Sequence, residues 1–380
     1  MTSPTYDLVL IGAGIVGAAC AAEAVADGAC GRVAVIDSGL IGGGATAAGM
    51  GHLVVMDESE PQLALTRFSQ NLWRKLSPEL PAGVEYAACG TIWVATDAEE
   101  MAEVQRKAHV YTSHGVPVEI LDAQALATAE PNLRPGLAGG LHVPRDAVIY
   151  PPTAVRFLLE RARSRGADIL LGQAVTAIHD GGVQLADGTT IAAGTVVNAT
   201  GAWAPSLTPG LEMQKRKGHL LITDRTPEFA HHQLIELGYL KSTHMTTADS
   251  VAFNLQPRAT GQILIGSSRQ FGVEDTGVDS RILAQMLARA CAYMPRLASL
   301  SALRAWTGFR AATADQLPLI GPVPGSRQPE LYLATGHEGL GITTSLGTAR
   351  LLIDQITGRQ PAIPVEPYLP ARMLKEAAHA

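Results

Sequence analysis

The sequence predicts an α/β fold of about two domains, and three observations carry that prediction. The chain has 380 residues, roughly two domains at about 150 residues each. Hydrophobic residues make up 47% and charged residues 17%, enough to bury a sizeable core and too few charges for a disordered chain. The first thirty-seven residues read as strand, glycine turn, helix and strand in succession.

Tyr6-Asp7-Leu8-Val9-Leu10-Ile11 is a short apolar run that reads as a buried parallel strand. Gly12-Ala13-Gly14-Ile15-Val16-Gly17 follows at once, and an Ala-rich stretch to about residue 26 suits a close-packed helix. Arg32-Val33-Ala34-Val35-Ile36-Asp37 is a second, β-branched strand. In this G-x-G-x-x-G unit Gly12 permits the tight turn, Gly14 lets backbone approach a pyrophosphate, and Gly17 lets helix and strand close up. Free amides and partial positive charge at the helix N-terminus favour the phosphates. Asp37, 20 residues after Gly17 and followed by Ser38, can accept from ribose hydroxyls. The unit predicts a dinucleotide site.

The run 42–51, with Ala45, Thr46, Ala48, Gly49 and Met50, is made almost wholly of small residues. Such a run lets backbone lie flush along a long flat cofactor, which favours FAD over NAD. Two later apolar strands end in Ala-Thr-Gly turns, at Thr200-Gly201 and at Thr335-Gly336. The second is followed by His337-Glu338-Gly339-Leu340-Gly341 and a helix from about 342 to 356. A nicotinamide dehydrogenase has no need of that second glycine-rich helix start.

Composition removes several other classes. With 29 basic and 35 acidic residues the net charge is −6, without long single-sign runs, so no nucleic-acid-binding face is expected. Cys20, Cys30, Cys89 and Cys291 form no C-x-x-C pair, which fits reduced thiols and leaves no iron–sulfur or four-thiolate zinc site on this chain. His337-Glu338 does not continue to H-E-x-x-H, because Gly341 holds the last position, and His231-His232 reads as a solvated loop; no metal is expected. The N-terminus shows no signal-peptide pattern, and the uncharged run 8–22 is too short to span a bilayer. A soluble, cytoplasmic protein is expected, at most peripheral to a membrane.

Taken in order, these motifs resemble the D-amino-acid-oxidase-like family of FAD-dependent oxidoreductases. The resemblance covers nearly the whole chain and includes Arg304-x-Trp306-x-Gly308-x-Arg310 with Asp315, Pro318 and Gly321. It implies a doubly wound, Rossmann-like FAD domain (1–84, 146–216 and 304–380) and a substrate domain on a mixed, largely antiparallel sheet (85–145 and 217–303). It places FAD against the first glycine turn, Asp37, the 45–50 loop, Val175, Thr200 and Gly201. Gly336, Gly339, Leu340, Gly341, Ile342 and Thr343 complete that contact at the C-terminal turn. The chain departs from the pattern in having Asp rather than Glu at 37 and Ala311-Ala312 after Arg310. No Cys lies beyond 291, so no covalent flavin tether of the sarcosine-oxidase type is available and the FAD is expected to be noncovalent.

The chemistry implied is hydride transfer from a substrate Cα to flavin N5, with Arg310 clamping the substrate carboxylate through two charge-assisted hydrogen bonds. His52, Asn254 and His337 are further candidates for the substrate cavity, and Tyr239, Lys241 and His244 for its entrance. Gly51-His52-Leu53-Val54-Val55-Met56-Asp57 and the 336–345 run look like bacterial D-hydroxyproline dehydrogenases and their opine-oxidase, glycine-oxidase and hydrogen-cyanide-synthase relatives. That likeness implies cis-4-hydroxy-D-proline or D-proline as substrate, and small iron–sulfur or second FAD-containing subunits as electron acceptors. Two other readings stay open: a glycine, sarcosine or broad D-amino-acid oxidase, and an FAD-binding electron-transfer subunit that meets no substrate. Elsewhere, 99–110 and 281–293 read as amphipathic helices solvated on one face, 254–268 as a hairpin turning at Ala259-Thr260-Gly261, and the proline-bearing tail from 360 as irregular.

Overall fold

Two large sheets organise the chain. The computed structural model describes residues 5–238, 249–326 and 329–374. The first sheet runs Leu319–Pro322, Glu330–Thr335, Thr190–Asn198, Thr5–Ile11, Val33–Asp37, Asp168–Leu171. Every pairing from Glu330–Thr335 onward is parallel, and the outer Leu319–Pro322 is antiparallel. Leu8, Leu10, Val33 and Val35 share a core with the helices Ile15–Ala24, Pro151–Arg163 and Gly341–Ile356. Tyr6, Val9, Ile11, Ala34 and Ile36 face the other way, onto an antiparallel ribbon of Val175–His179 and Gly182–Leu185. Both faces are covered, which is why these strands read as continuous apolar runs.

The second sheet has nine strands in the order His337–Glu338, Ala302–Ala312, Gln214–Thr223, Ile263–Phe271, Ser250–Pro257, Gln233–Glu236, Thr91–Ala95, Gly139–Val143, Glu119–Asp122. Its pairings are antiparallel except between Gln233–Glu236 and Thr91–Ala95. Phe253, Leu255, Ile263 and Ile265 pack behind it, with Met286, Ala290 and Tyr293 of the helix Ser280–Tyr293. The expected boundaries at 216/217 and 303/304 fall inside two of these strands, Gln214–Thr223 and Ala302–Ala312.

Several local expectations shift. The hairpin is longer than 254–268 but turns where expected, with Gly261 at φ 80° closing onto Arg258 O. The helix Ala98–Ser113 is not simply solvated on its charged side: Lys107 is fully buried, ion-paired with Asp57 beneath the rings of Trp93 and Tyr111. Asp57 lies 50 positions away, so helical periodicity alone could not reveal the pair. His232 is not a free loop residue, because its backbone amide and Nδ1 both meet the buried carboxylate of Glu130, 2.7 and 2.8 Å away. The tail forms two 3₁₀ turns, Glu366–Tyr368 and Pro370–Met373, anchored by buried Tyr368 donating to Pro61 O. Among the described residues no helix is long and apolar enough to cross a membrane, and no cluster of side chains is arranged to hold a metal.

Candidate active site

A cavity of about 740 Å³ opens between the two sheets, floored at one end by the first glycine turn and at the other by the nine-stranded sheet. At the first end Gly12 has φ +115°, and a Cβ there would stand 2.6 Å from Ala199 O. The Ile15–Ala24 helix therefore begins hard against the Ala199-Thr200-Gly201 turn. Thr46 Oγ1 accepts from Ile15 N at 3.0 Å, tying the small-residue loop to this helix start. Asp37 spends one oxygen on Ala13 N and the other on Gly39 N, each at 2.7 Å. Carboxylate oxygens have two lone pairs each, so both can still accept from a ribose.

Four of the residues expected to meet the cofactor stand behind the cavity wall instead. Ala13 is buried and gives its amide to Asp37. A Cβ on Gly17 would lie 1.9 Å from Gly12 O, so this glycine serves turn packing. Gly336 holds a turn at φ +77° against Thr313. Thr343 donates to His52 O at 2.7 Å and accepts from Val54 N at 3.3 Å, bracing the neighbouring wall. The remaining expected contacts, from Gly12 to Met50, Val175, Thr200, Gly201, Gly339 to Ile342, line the cavity. The Gly341–Ile356 helix has no side-chain cap at its N-terminus, and Leu340, Gly341 and Ile342 border the open space. A long channel walled by glycine backbone, a carboxylate at one end and two helix starts fits FAD.

At the far end the strand Ala302–Ala312 lies on the small-residue loop. Trp306 Nε1 donates to Ala48 O at 3.3 Å, and a Cβ on Gly308 would come within 2.4 Å of Ala48 Cβ. Gly308 faces Gly218 across the sheet. The Arg310 guanidinium lies over Gly218, with Nη1 2.7 Å and Cζ 2.9 Å from where a Cβ would stand, and Nη1 donates to Ser268 O at 2.8 Å. A glycine inside a strand often marks such a close approach.

Sequence reasoning missed what surrounds Arg310. Arg269, also in the cavity wall, and Arg216, directly opposite Arg310 in register, converge with it on Glu338, whose side chain is only 11% exposed. Glu338 Oε1 is 3.6 Å from Arg269 Nε and 3.9 Å from Arg216 Nη1. Burial works against the charge on Glu338, but Arg269, Arg310 and Arg216 outweigh it and hold the carboxyl below its ordinary value. Gly218 was the one signal in the sequence, an isolated glycine within an otherwise strand-like run.

The other expected side chains separate. His52 lines the cavity with Nε2 buried and unpartnered, and burial presses its pKa down to about 3. Asn254 also lines it, only 8% exposed, with Oδ1 lacking a partner. His337 also borders the cavity, with its Nε2 held by Thr348 Oγ1 of the Gly341–Ile356 helix at 2.9 Å, and its pKa is likewise lowered to about 3 by burial. Tyr239, Lys241 and His244 lie outside the described residues.

Comparison with known proteins agrees with this geometry. The family described as FAD dependent oxidoreductase (DAO) matches residues 7–355. Glycine oxidase of Geobacillus kaustophilus is 29% identical over 378 residues, covering 96% of each chain. Its crystal structure superposes with a TM-score of 0.87, covering 98% of this chain and all of that one at 27% identity. The hydrogen cyanide synthase subunit HcnC of Pseudomonas aeruginosa is 28% identical, covering 98% of each chain. The structure of L-proline dehydrogenase from P. horikoshii matches at 25% identity with a TM-score of 0.85, covering 98% of each.

Proposed function

This chain belongs to the DAO family of FAD-dependent oxidoreductases, and from that premise we propose that it oxidises a small D-amino acid, cis-4-hydroxy-D-proline or D-proline, to the cyclic imine. The observation that carries the reading is Arg310, a guanidinium in the cavity wall fixed over a side-chain-free floor. A planar guanidinium orients a carboxylate through two parallel hydrogen bonds, which a relay subunit without a substrate would not need.

FAD, when bound along the glycine channel, would supply the acceptor for a hydride from the substrate Cα. The protein's own residues do the rest. Arg310 holds the carboxylate, and the excess of positive charge over Glu338 makes that end of the cavity favourable for an anion. Met56, Trp93 and Ile235 give the same cavity an apolar side suited to ring methylenes. His52 is uncharged across the neutral range, since burial lowers its pKa to about 3, so its Nε2 serves as a hydrogen-bonding group and not as a proton store. A substrate amine that arrives neutral needs no proton acceptor here. The four cysteines are free and mutually unpaired, so an iron–sulfur relay would sit on a partner chain, or a second flavoprotein subunit would take the electrons. The HcnC relative is itself named as a subunit. With that arrangement the chain acts in the cytoplasm, at most against a membrane surface.

Arg310→Ala tests the clamp. The variant should keep its FAD while KM rises about a hundredfold or more and flavin reduction slows, the loss expected when two charge-assisted hydrogen bonds go. Flavin reduction at the parent's rate and KM would remove Arg310 from substrate binding.

A further inference from the structure

Arg310 reaches its bonding partner by crossing a whole strand. Its side chain leaves Ala302–Ala312, passes over Gly218 of Gln214–Thr223, and donates to Ser268 O on Ile263–Phe271, the next strand beyond. The far end of that span lies where the sheet is irregular. Lys217 pairs with Gln270 and Leu221 with Ile265, so three residues, 218–220, oppose four, 266–269. On the other side the ladder slips again, between Val251 paired with Ser268 and Asn254 paired with Gly266. A bulge re-aims groups beside a site, but it also interrupts the ladder bonds that would fix them. Ser268 therefore needs other ties.

His219, fully buried, supplies them. Its backbone amide and its Nδ1 both meet Ser268 Oγ, each at 2.9 Å. The direction of the second bond follows from the other ring nitrogen. Nε2 stands 3.0 Å from Asp279 N, and an amide can only donate, so Nε2 accepts and the proton of the neutral ring sits on Nδ1. Burial first, then the Lys217 and Arg310 charges, lowers the ring's pKa against the opposing pull of Asp279 and Asp275, which keeps it neutral. Ser268 Oγ has two lone pairs and takes both donors. Asp279 is itself the N-cap of the helix Ser280–Tyr293, so the ring is held between a helix start and the serine. His219 borders the cavity, but neither ring nitrogen is left for a ligand.

On the reading that Arg310 holds the substrate carboxylate, we infer that His219 is a positioning residue for that clamp, setting Ser268 so that its carbonyl fixes the guanidinium in the cavity wall. The chain of bonds runs from Asp279 N through the imidazole to Ser268 Oγ, and from Ser268 O to Arg310 Nη1. The substrate does not touch the histidine; it meets the guanidinium that the histidine places. Loss of the Nδ1 bond leaves the bulged segment free to shift, and the carbonyl carries Arg310 with it.

Acetate, a carboxylate that cannot reduce flavin, reads the clamp without any choice of substrate. Its dissociation constant comes from the change in visible flavin absorbance of the FAD-loaded protein. His219→Gln places an amide near the Nε2 position, so it keeps a partner for Asp279 N and loses the bond to Ser268. His219→Asn does the reverse and serves as the conservative rescue. The constant should rise about tenfold in His219→Gln and in Ser268→Ala, and much less in His219→Asn, with FAD content and Tm reporting the folding of each. A histidine that only stabilised the fold would not separate Asn from Gln in this way. Equal weakening in His219→Asn and His219→Gln, or parent affinity in a folded His219→Gln or Ser268→Ala, overturns the inference. Arg310→Ala run alongside tells the two readings apart: if it binds acetate as the parent does, or the parent binds none, the clamp itself fails and this inference with it.

Discussion

Gly218→Ala puts the clamp geometry under the sharpest strain that one methyl group can apply. The new Cβ would stand 2.7 Å from Arg310 Nη1 and 2.9 Å from both Cζ and Nη2. Carbon contacts settle at about 3.5 Å or more, so the guanidinium has to move by roughly 0.5–1 Å. Gly218 is not in the left-handed region, so alanine adds no backbone strain, and the whole effect falls on Arg310. That movement breaks or bends the 2.8 Å bond to Ser268 O which fixes the side chain. A misplacement of about 1 Å in a binding group costs on the order of a hundredfold. Stopped-flow flavin reduction over a range of substrate concentrations reads this as a dissociation constant raised about a hundredfold, with FAD content retained. A Gly218→Ala protein that binds substrate as the parent does would refute the placement of Arg310 over Gly218.

Two further outcomes follow from the same structure. Gly308→Ala would drive a Cβ to 2.4 Å from Ala48 Cβ and push the small-residue loop off the sheet, so FAD retention on gel filtration should fall; undiminished retention would show that the loop is not set by this contact. Asp146 is buried, and burial pushes its carboxyl up from 3.8 to about 7. Its folded-state value is raised, so its contribution to stability is fullest below 3.8 and is lost as pH rises toward 7. Asp146→Asn keeps an oxygen for Val55 N and Gln70 Nε2, so its Tm relative to the parent should climb between pH 4 and pH 8. A pH-independent offset would contradict that assignment.

The cofactor half of the molecule was legible because its signals are local. Strand Thr5–Ile11, the glycine turn and Asp37 occupy one short stretch, and Gly12 and Gly17 each answer a close approach of backbone, from Ala199 and from Gly12 respectively. The substrate half depends on register, which no single strand carries. Arg216, Arg269 and Arg310 come from three different strands, and only their pairing brings them to Glu338. Lys107 looked like one more solvated charge on an amphipathic helix because its partner, Asp57, belongs to a segment beyond the small-residue loop. Asp37 reads in the sequence as a ribose acceptor, whereas in the fold it also ties Ala13 to Gly39, a second use that spacing cannot show. His337 was equally ambiguous: motif position put it in the cofactor turn, and only the fold shows its ring bonded to Thr348.

Anaerobic mixing of the FAD-loaded chain with cis-4-hydroxy-D-proline, D-proline, sarcosine, glycine and D-alanine in turn, followed by flavin absorbance, tests substrate oxidation without needing to know the electron acceptor. Rapid bleaching by the two cyclic D-amino acids alone is the predicted result. An FAD-loaded protein that none of the five bleaches would contradict amino-acid oxidation by this chain.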